Sequence, residues 1–191
     1  TKVDSYALSA HKIHGPKGVG ALVLADGARI KPIVAGGGQQ GGLRSGTENT
    51  SGIAGMVAAV QSYPSDAMER MRGLKRLLLS LLTEALPETT VAGLPVDNPM
   101  SAGHILNVAF PPVRAETLLH ALEADGICVG TGSACSSKKG RRSPVLTAMH
   151  LPPQVMDSAM SLCPFNTEEE MRYTAEKIID RVGQLRRFTR R

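Results

Sequence analysis

Aromatic side chains are scarce in this chain of 191 residues: they make up 3% of it, and tryptophan is absent. Proteins that hold single-stranded nucleic acid usually stack its bases on aromatic rings. The net charge of +5 is therefore not enough to indicate nucleic-acid binding, and we expect no direct contact with nucleic acid. The basic residues instead concentrate in two short segments, at 138–142 and 186–191.

Cysteines and long apolar runs are also few. The cysteines Cys128, Cys135 and Cys163 are odd in number and lack the spacing of metal ligands, so we expect neither a disulfide framework nor a metal site. No apolar run approaches the length of a membrane span, and no signal peptide is visible. These absences predict a protein of a reducing, cytoplasmic compartment without a membrane partner.

The pattern of apolar and turn-forming residues predicts a mixed α/β chain. The predicted strands are 4–9, 19–24, 104–110 and 127–129. The predicted helices are 50–61, 66–86, 115–124 and 166–187, and the second and fourth of these begin with a capping-box pattern. Leucines at helical spacing predict the buried face of the second helix, and we assign Lys75 to another face.

The division of the chain is indicated by a run rich in proline and glycine at 92–103, which marks a connection into a smaller domain. We therefore predict domains at 1–90 and 91–191. The sequence begins inside a strand-like pattern and without an initiating Met, so we expect it to start partway through a domain.

A lysine and a glycine-rich stretch are the first candidates for chemistry. Lys12 directly follows His11 and precedes a Gly-Pro turn, a position that also suits an ordinary solvated lysine. Residues 36–52 are dense in glycine and lead into a predicted helix, so their backbone N–H groups are able to approach an anion closely. The alternative for this stretch is an unstructured surface loop.

The third candidate is Cys135, in a segment of small and polar residues at 130–144 that we expect to be mobile. Four basic residues between 138 and 142 favour its thiolate, the nucleophilic form. A basic surface loop with an incidental cysteine is the alternative. By contrast, Cys128 lies between Ile127 and Val129 and is expected to be buried, and Cys163 is expected to be structural.

Taken together, these residues favour pyridoxal phosphate chemistry. A lysine amine condenses with the cofactor aldehyde, and a small hydroxyl such as that of Ser9 with a glycine-rich loop suits a phosphate. An exposed thiol then supplies a second nucleophile.

Four segments carry a family resemblance: SAHKIHGPKG, GGGQQGGLRSGTENT, HILNVAF and GTGSACSS. In order and spacing they resemble the signatures of the cysteine desulfurases, a class V aminotransferase-like branch of the fold-type I pyridoxal phosphate enzymes. The resemblance implies an α/β fold: the C-terminal part of the fold-type I large domain followed by a small α+β domain. It also implies conversion of L-cysteine to L-alanine, with the sulfur kept as a persulfide.

The same resemblance assigns roles to individual residues. Lys12 matches the Schiff-base lysine, and Ser9 and His11 match residues that hold the cofactor phosphate. Thr47 matches the residue that reaches the phosphate of the partner subunit, which implies a homodimer. Cys135 matches the sulfur-accepting nucleophile, which would pass sulfur to an acceptor protein for iron–sulfur cluster assembly or tRNA thiolation.

The sequence departs from the family pattern in two places. Family chains are roughly twice as long, and their N-terminal half carries the histidine and aspartate that contact the cofactor ring. The family arginine that binds the substrate carboxylate has no counterpart between Asp157 and Glu168. Two alternatives therefore stand beside an active desulfurase fragment. One is another enzyme of this fold, selenocysteine lyase-like or aminotransferase-like, and the other is a non-catalytic half-enzyme that dimerises or docks with sulfur-transfer proteins.

Overall fold

The computed structural model of the chain describes residues 3–130, 144–151 and 158–188. The chain divides into two compact units, Thr1–Pro64 and Ser65–Arg191. The domain boundary that the sequence predicts at residue 90 stays a prediction. No helix in the described ranges is long and apolar enough to cross a membrane.

The first unit contains an antiparallel pair of strands, β1 (Ser5–Ser9) and β2 (Gly20–Leu24). Both follow the predicted segments closely. A 3-10 turn, Ala10–Ile13, comes directly after β1, and helix α1 (Thr50–Ser62) follows the glycine-rich stretch. Gly20 is required at the start of β2 because a Cβ there would overlap the Leu8 carbonyl oxygen.

The second unit is built on a three-stranded antiparallel sheet in the order β3-β4-β5. Its strands are β3 (Thr90–Ala92), β4 (Ile105–Ala109) and β5 (Ser158–Ser161). Its helices are α2 (Ala67–Ala85), α3 (Ala115–Glu123), α4 (Pro144–Ala148) and α5 (Glu168–Phe188).

One apolar core holds the second unit together. Helix α5 packs against α2 and α3, and the sheet completes the core. The largest fully buried side chains are those of Leu78 and Leu82 in α2, Leu106 and Val108 in β4, Phe110, Leu118 and Leu122 in or beside α3, and Ile178 and Val182 in α5. The leucine spacing in α2 therefore predicted the buried face correctly.

The capping-box pattern is confirmed at one helix and not at the other. At the start of α5, the Glu170 amide donates to Thr167 Oγ1 over 3.2 Å, and the Thr167 amide donates to Glu170 Oε2 over 3.0 Å. At the start of α2, Asp66 occupies the N-cap position, but its side chain caps no backbone N–H.

Three further predictions about secondary structure and burial are wrong. Residues 127–129 are not a strand, although Ile127 and Val129 pack partly against the core. Cys128, between these two residues, is exposed and not buried. The assignment of Lys75 to a face other than the buried one is also wrong, since only 5% of the residue is exposed.

Candidate functional site

The Lys12 turn, residues 9–15, begins where β1 ends. Ala10 is fully buried and anchors the turn: its amide donates to the Val19 carbonyl over 3.1 Å, and its carbonyl accepts from the Gly15 amide over 2.8 Å. His14 closes the turn in the left-handed region, with φ of 63°. The two hydrogen bonds thus fix the backbone at Ala10, while Ser9 and His11 on either side of it are exposed.

Three candidate residues lie on this turn within four positions. Ser9, His11 and Lys12 are all exposed. Among the described residues, none of the three side chains has a hydrogen bond or an ion pair. An amine, a hydroxyl and an imidazole are therefore available to one common ligand.

Helix α1 and the residue after it contact the end of the Lys12 turn, and the sequence did not predict these contacts. His14 Nδ1 lies 3.1 Å from the Tyr63 hydroxyl, just beyond the end of the helix. Pro16 packs so closely on Gly55 that a Cβ at Gly55 would lie 3.0 Å from Pro16 Cγ. A glycine inside a helical pattern is a sequence signal for such a close contact, and this helix has two, Gly52 and Gly55.

The glycine-rich stretch is an ordered loop. The Gly38 amide donates to Ser45 Oγ over 3.4 Å, and the Gly46 amide donates to Gln39 Oε1 over 3.0 Å. Ser45 is buried, and Gly36 lies so close to it that a Cβ on Gly36 would be 3.0 Å from Ser45 Cβ. Because the Gly38 and Gly46 donors are used inside the loop, an anion here would have to be held by other groups.

Thr47 lies at the end of this loop, directly before α1. It is exposed, and the next turn of chain is fixed by the side chain of Asn49, whose Oδ1 accepts from the Gly52 amide over 3.0 Å. No hydrogen bond in the described part of the chain joins Thr47 to the Lys12 turn. The structure thus brings Ser9, His11 and Lys12 together and presents Thr47 separately.

Cys135 lies outside the described residues. The chain that leads towards it is held to α5 by Asp125, whose carboxylate receives two hydrogen bonds from Arg181, of 2.8 and 2.7 Å. The Arg181 guanidinium keeps the pKa of the Asp125 carboxyl below its usual range. Tyr173 also donates its hydroxyl proton to the Asp125 carbonyl over 3.1 Å. Asp125 is thus a fixed point ten positions before the cysteine.

The segment that lacks the expected arginine is partly described. Residues 158–161 form β5, and Cys163, which is half-buried, donates its amide to Asn166 Oδ1 over 2.8 Å. Cys163 therefore belongs to the connection that leads into α5. In the described ranges, no group of three or more His, Cys, Asp or Glu side chains is arranged to hold a metal ion.

Comparison with known proteins agrees with the resemblance read from the motifs. The chain is 35% identical to a cysteine desulfurase IscS of Clostridium botulinum, over 98% of this chain and 48% of that protein. It is 38% identical to a cysteine desulfurase of Enterobacter agglomerans, over 97% of this chain and 47% of that protein. The chain thus spans about half the length of the curated relatives it matches.

Solved structures agree on the fold. A NifS-like protein, 35% identical, superposes with a TM-score of 0.79 over 96% of this chain and 47% of its own. A NifS-like protein from Rickettsia africae, 27% identical, superposes with a TM-score of 0.75 over 93% and 48%. The predicted fold class is confirmed by these superpositions. The sequence profile of the aminotransferase class-V family matches residues 1–173, and the chain therefore belongs to that family.

Proposed function

We propose that this chain is the part of a pyridoxal phosphate-dependent cysteine desulfurase that carries the cofactor lysine, Lys12, and the sulfur-accepting thiol, Cys135. The observation that carries the proposal is the Lys12 turn, where an exposed and unpaired amine lies beside Ser9 and His11. The similarity to curated cysteine desulfurases supports it over other enzymes of the family. Cys135 also favours a desulfurase over an aminotransferase, because transamination does not need a thiol.

The residues of the turn fit the cofactor. The Ser9 hydroxyl and the His11 ring are suited to holding its phosphate, and the Lys12 amine is suited to bonding its aldehyde. Thr47 would reach the phosphate of a second subunit, so the working form is a homodimer. When bound, the cofactor withdraws electrons from the substrate α-carbon.

The protein residues perform the remaining steps. The Lys12 amine moves the proton at the substrate α-carbon. The Cys135 thiolate, favoured by the basic residues at 138–142, attacks the sulfur of L-cysteine. The carbon–sulfur bond breaks with its electron pair left on the β-carbon, which takes up a proton from solvent so that L-alanine leaves, and Cys135 keeps the sulfur as a persulfide. An acceptor protein, a scaffold for iron–sulfur clusters or a protein of tRNA thiolation, then takes the sulfur in the cytoplasm.

The domain roles follow from the same proposal. Residues 1–90 would belong to the large, cofactor-binding domain, and residues 91–191 would form the small domain that presents Cys135. Because no arginine lies between Asp157 and Glu168, we expect weak binding of the substrate carboxylate.

Borohydride trapping tests the role of Lys12 without relying on turnover. The full chain is incubated with pyridoxal phosphate, reduced with borohydride, digested and analysed by mass spectrometry. We expect the label on the peptide that contains Lys12, and we expect Lys12→Ala to lose it. Lys17→Ala, which removes an exposed lysine five positions away, is the matched control and should keep the label. An even distribution of label over the exposed lysines would refute the assignment.

The role of Cys135 has its own test. After incubation with radiolabelled L-cysteine, we expect thiol-sensitive label on the peptide that contains Cys135. Cys128→Ser, which removes an exposed thiol seven positions away, should keep that label, and Cys135→Ser should lose it.

A second candidate function is favoured by the apolar surface of the first unit. Tyr6, Leu8 and Val23, which share one face of the β1–β2 pair, are 51%, 44% and 36% exposed. A non-catalytic half-enzyme that dimerises or docks would use such a surface. That candidate predicts no trapping on Lys12 together with stable self-association in sedimentation, whereas the desulfurase proposal requires the trapping.

A further inference from the structure

The second unit contains a small cavity beside a buried lysine, Lys75 of α2. The cavity has a volume of about 190 Å³, and Ser101, Ala102 and residues 91–94 are part of its lining. Lys75 Nζ donates to Ser101 Oγ and to the Ala102 carbonyl, each over 3.0 Å, so both partners of the ammonium group also line the cavity. None of the described residues proposed to bind the cofactor lines it. The amine end of Lys75 therefore borders a cavity outside the candidate site.

Lys75 carries a buried positive charge without a counter-charge. Only 5% of the residue is exposed, and both acceptors of its Nζ are neutral oxygens. In the ranges that the structure describes, no carboxylate forms an ion pair with it. Asp97, the one acidic residue of segment 94–102, accepts a hydrogen bond from Arg76 Nε over 3.0 Å instead. Burial of an uncompensated charge is costly and favours the neutral form of the group.

A second cation, Arg72, is held by the same segment. Its Nη1 donates to the Val96 carbonyl over 2.8 Å and to the Asn98 carbonyl over 3.0 Å. Its Nε lies 3.8 Å from Glu69 Oε2, but that carboxylate is 74% exposed and compensates the charge little. Arg72 precedes Lys75 by three positions on α2, a spacing that makes the two side chains neighbours. Burial and this guanidinium lower the pKa of Lys75.

We propose that Lys75 is a carbamylation site, at which the buried amine bonds carbon dioxide reversibly. A desolvated lysine amine beside another cation is an activated nucleophile. The Lys75 ammonium first releases a proton to solvent, and the electron pair of Nζ then attacks the carbon of carbon dioxide. An N–C bond forms, the electrons of one C–O π bond move onto the oxygen, and Nζ releases a second proton to solvent. The side chain changes from one positive to one negative charge.

The carbamate suits the groups around Nζ better than the ammonium does. Its N–H donates to the Ala102 carbonyl, and the Ser101 hydroxyl, which accepts from the ammonium, donates to a carbamate oxygen. The Ser101 hydroxyl now donates to the Leu94 carbonyl over 3.5 Å, a long hydrogen bond that it loses at little cost. The negative charge lies beside Arg72, so a repulsion between neighbouring side chains becomes an attraction.

The size of the cavity favours carbon dioxide over larger electrophiles. Ordinary small-molecule sites have about 300–1,000 Å³. Aldehyde cofactors and acyl thioesters are too large for a cavity of about 190 Å³ beside a residue that is 5% exposed. Carbon dioxide adds only three heavy atoms to Nζ. Because it is uncharged, it reaches a buried amine without the desolvation cost of a charged reagent.

Trapping with a trialkyloxonium reagent tests the proposal on the full chain. The probe is isotopically labelled bicarbonate, which is in equilibrium with carbon dioxide, and the reagent converts a carbamate into a stable ester that mass spectrometry locates. We expect the labelled ester on the peptide that contains Lys75. Lys177 is the internal control, because a hydrogen bond to Glu176 raises its pKa and it does not line the cavity. No ester on Lys75, or equal amounts on Lys75 and Lys177, would overturn the proposal.

Two further measurements examine the surroundings of the amine. Ser101→Ala removes the hydroxyl donor and should lower the yield of ester on Lys75 about tenfold. Ser80→Ala, which removes an exposed hydroxyl of α2, is the matched control and should leave the yield unchanged. Circular dichroism checks folding, and an unchanged yield in folded Ser101→Ala would overturn the proposal. If that variant fails to fold, trapping of the unchanged chain in urea decides: loss of burial should abolish the preference for Lys75 over Lys177, and a preference that persisted would contradict a role for the cavity.

Discussion

Gly55 lies against Pro16, directly after the Lys12 turn, and replacing it by alanine tests whether this contact positions the turn. A Cβ at Gly55 would lie 3.0 Å from Pro16 Cγ and 3.1 Å from Pro16 Cδ, closer than ordinary van der Waals contact. The proline ring is rigid, so the turn must move away from α1 to make room. We expect Gly55→Ala to displace Lys12 and to lower the yield of cofactor trapping on it.

The expected magnitude is a difference between two opposing effects. Alanine in a helix interior is favoured over glycine by roughly 1 kcal/mol. Overpacking costs about 1–3 kcal/mol. The net change for Gly55→Ala is therefore a loss of about 0–2 kcal/mol. Gly73 in α2 is the matched control, because no described atom lies within 4 Å of a Cβ built there. Gly73→Ala should stabilise its helix by about 0.5–1 kcal/mol.

Hydrogen exchange followed by mass spectrometry measures the opening of α1 and α2 separately, which suits a chain of two units. Pro16→Ala completes a double-mutant cycle, since it removes Cγ and Cδ, the two atoms in closest contact. In the background of Pro16→Ala, Gly55→Ala should cost about 0.5–3 kcal/mol less than it does alone. If Gly55→Ala stabilises α1 as Gly73→Ala stabilises α2, or if the cycle shows no coupling, the contact does not position the turn.

Three further predictions concern the second unit. Leu82→Ala, at a fully buried position, should lower the free energy of unfolding in urea by about 2–5 kcal/mol, and an equal loss in partly buried Leu81→Ala would contradict the core described above. Hydrogen bonds from the Asn166 side chain and from the Thr167 backbone N–H lower the pKa of the Glu170 carboxyl in the folded chain. The stabilisation of the fold by ionised Glu170 is therefore complete above pH 4.5, and it is lost as the pH falls through the lower folded-state pKa. Glu170→Gln should remove that acid-dependent part of the unfolding free energy. If the unfolding free energies of the variant and of the unchanged chain ran parallel with pH, the prediction would be contradicted. The folded-state pKa of Lys75 lies below 10.5, so the unfolded chain holds more protons between the two values and stability rises with pH there. Lys75→Met should abolish this rise, which is measured as the difference between the two urea-unfolding profiles.

Local signals explain which elements the sequence predicts. The β1–β2 pair is bounded by a Gly-Pro turn, and α5 begins with a reciprocal capping box, so both are encoded within a few neighbouring residues. Strands β3 and β5 have 3 and 4 residues, too few to show a period, and both depend on pairing with β4. The apolar segment 127–129 has strand-like composition but packs on the core without ladder partners.

The same distinction applies to the candidate site. Ser9, His11 and Lys12 lie within four positions of one another, so the sequence alone brings them together. The support from Gly55 and the burial of Lys75 arise from residues far apart in the chain: Pro16 precedes Gly55, and Ser101 follows Lys75 by 26 positions. In a helix with several basic residues, nothing in the sequence separates the buried lysine from the solvated ones.

The order of strands in the second unit has a consequence for its synthesis on the ribosome. The central strand β4 ends at Ala109, but its partner β5 begins at Ser158, and α5, which covers the core, ends at Phe188. At roughly 5–20 residues per second, several seconds pass before the covering helix has been made. During that time Leu82 and Val108 have no α5 to bury them. The nascent chain therefore exposes apolar side chains of its second unit until α5 has been made.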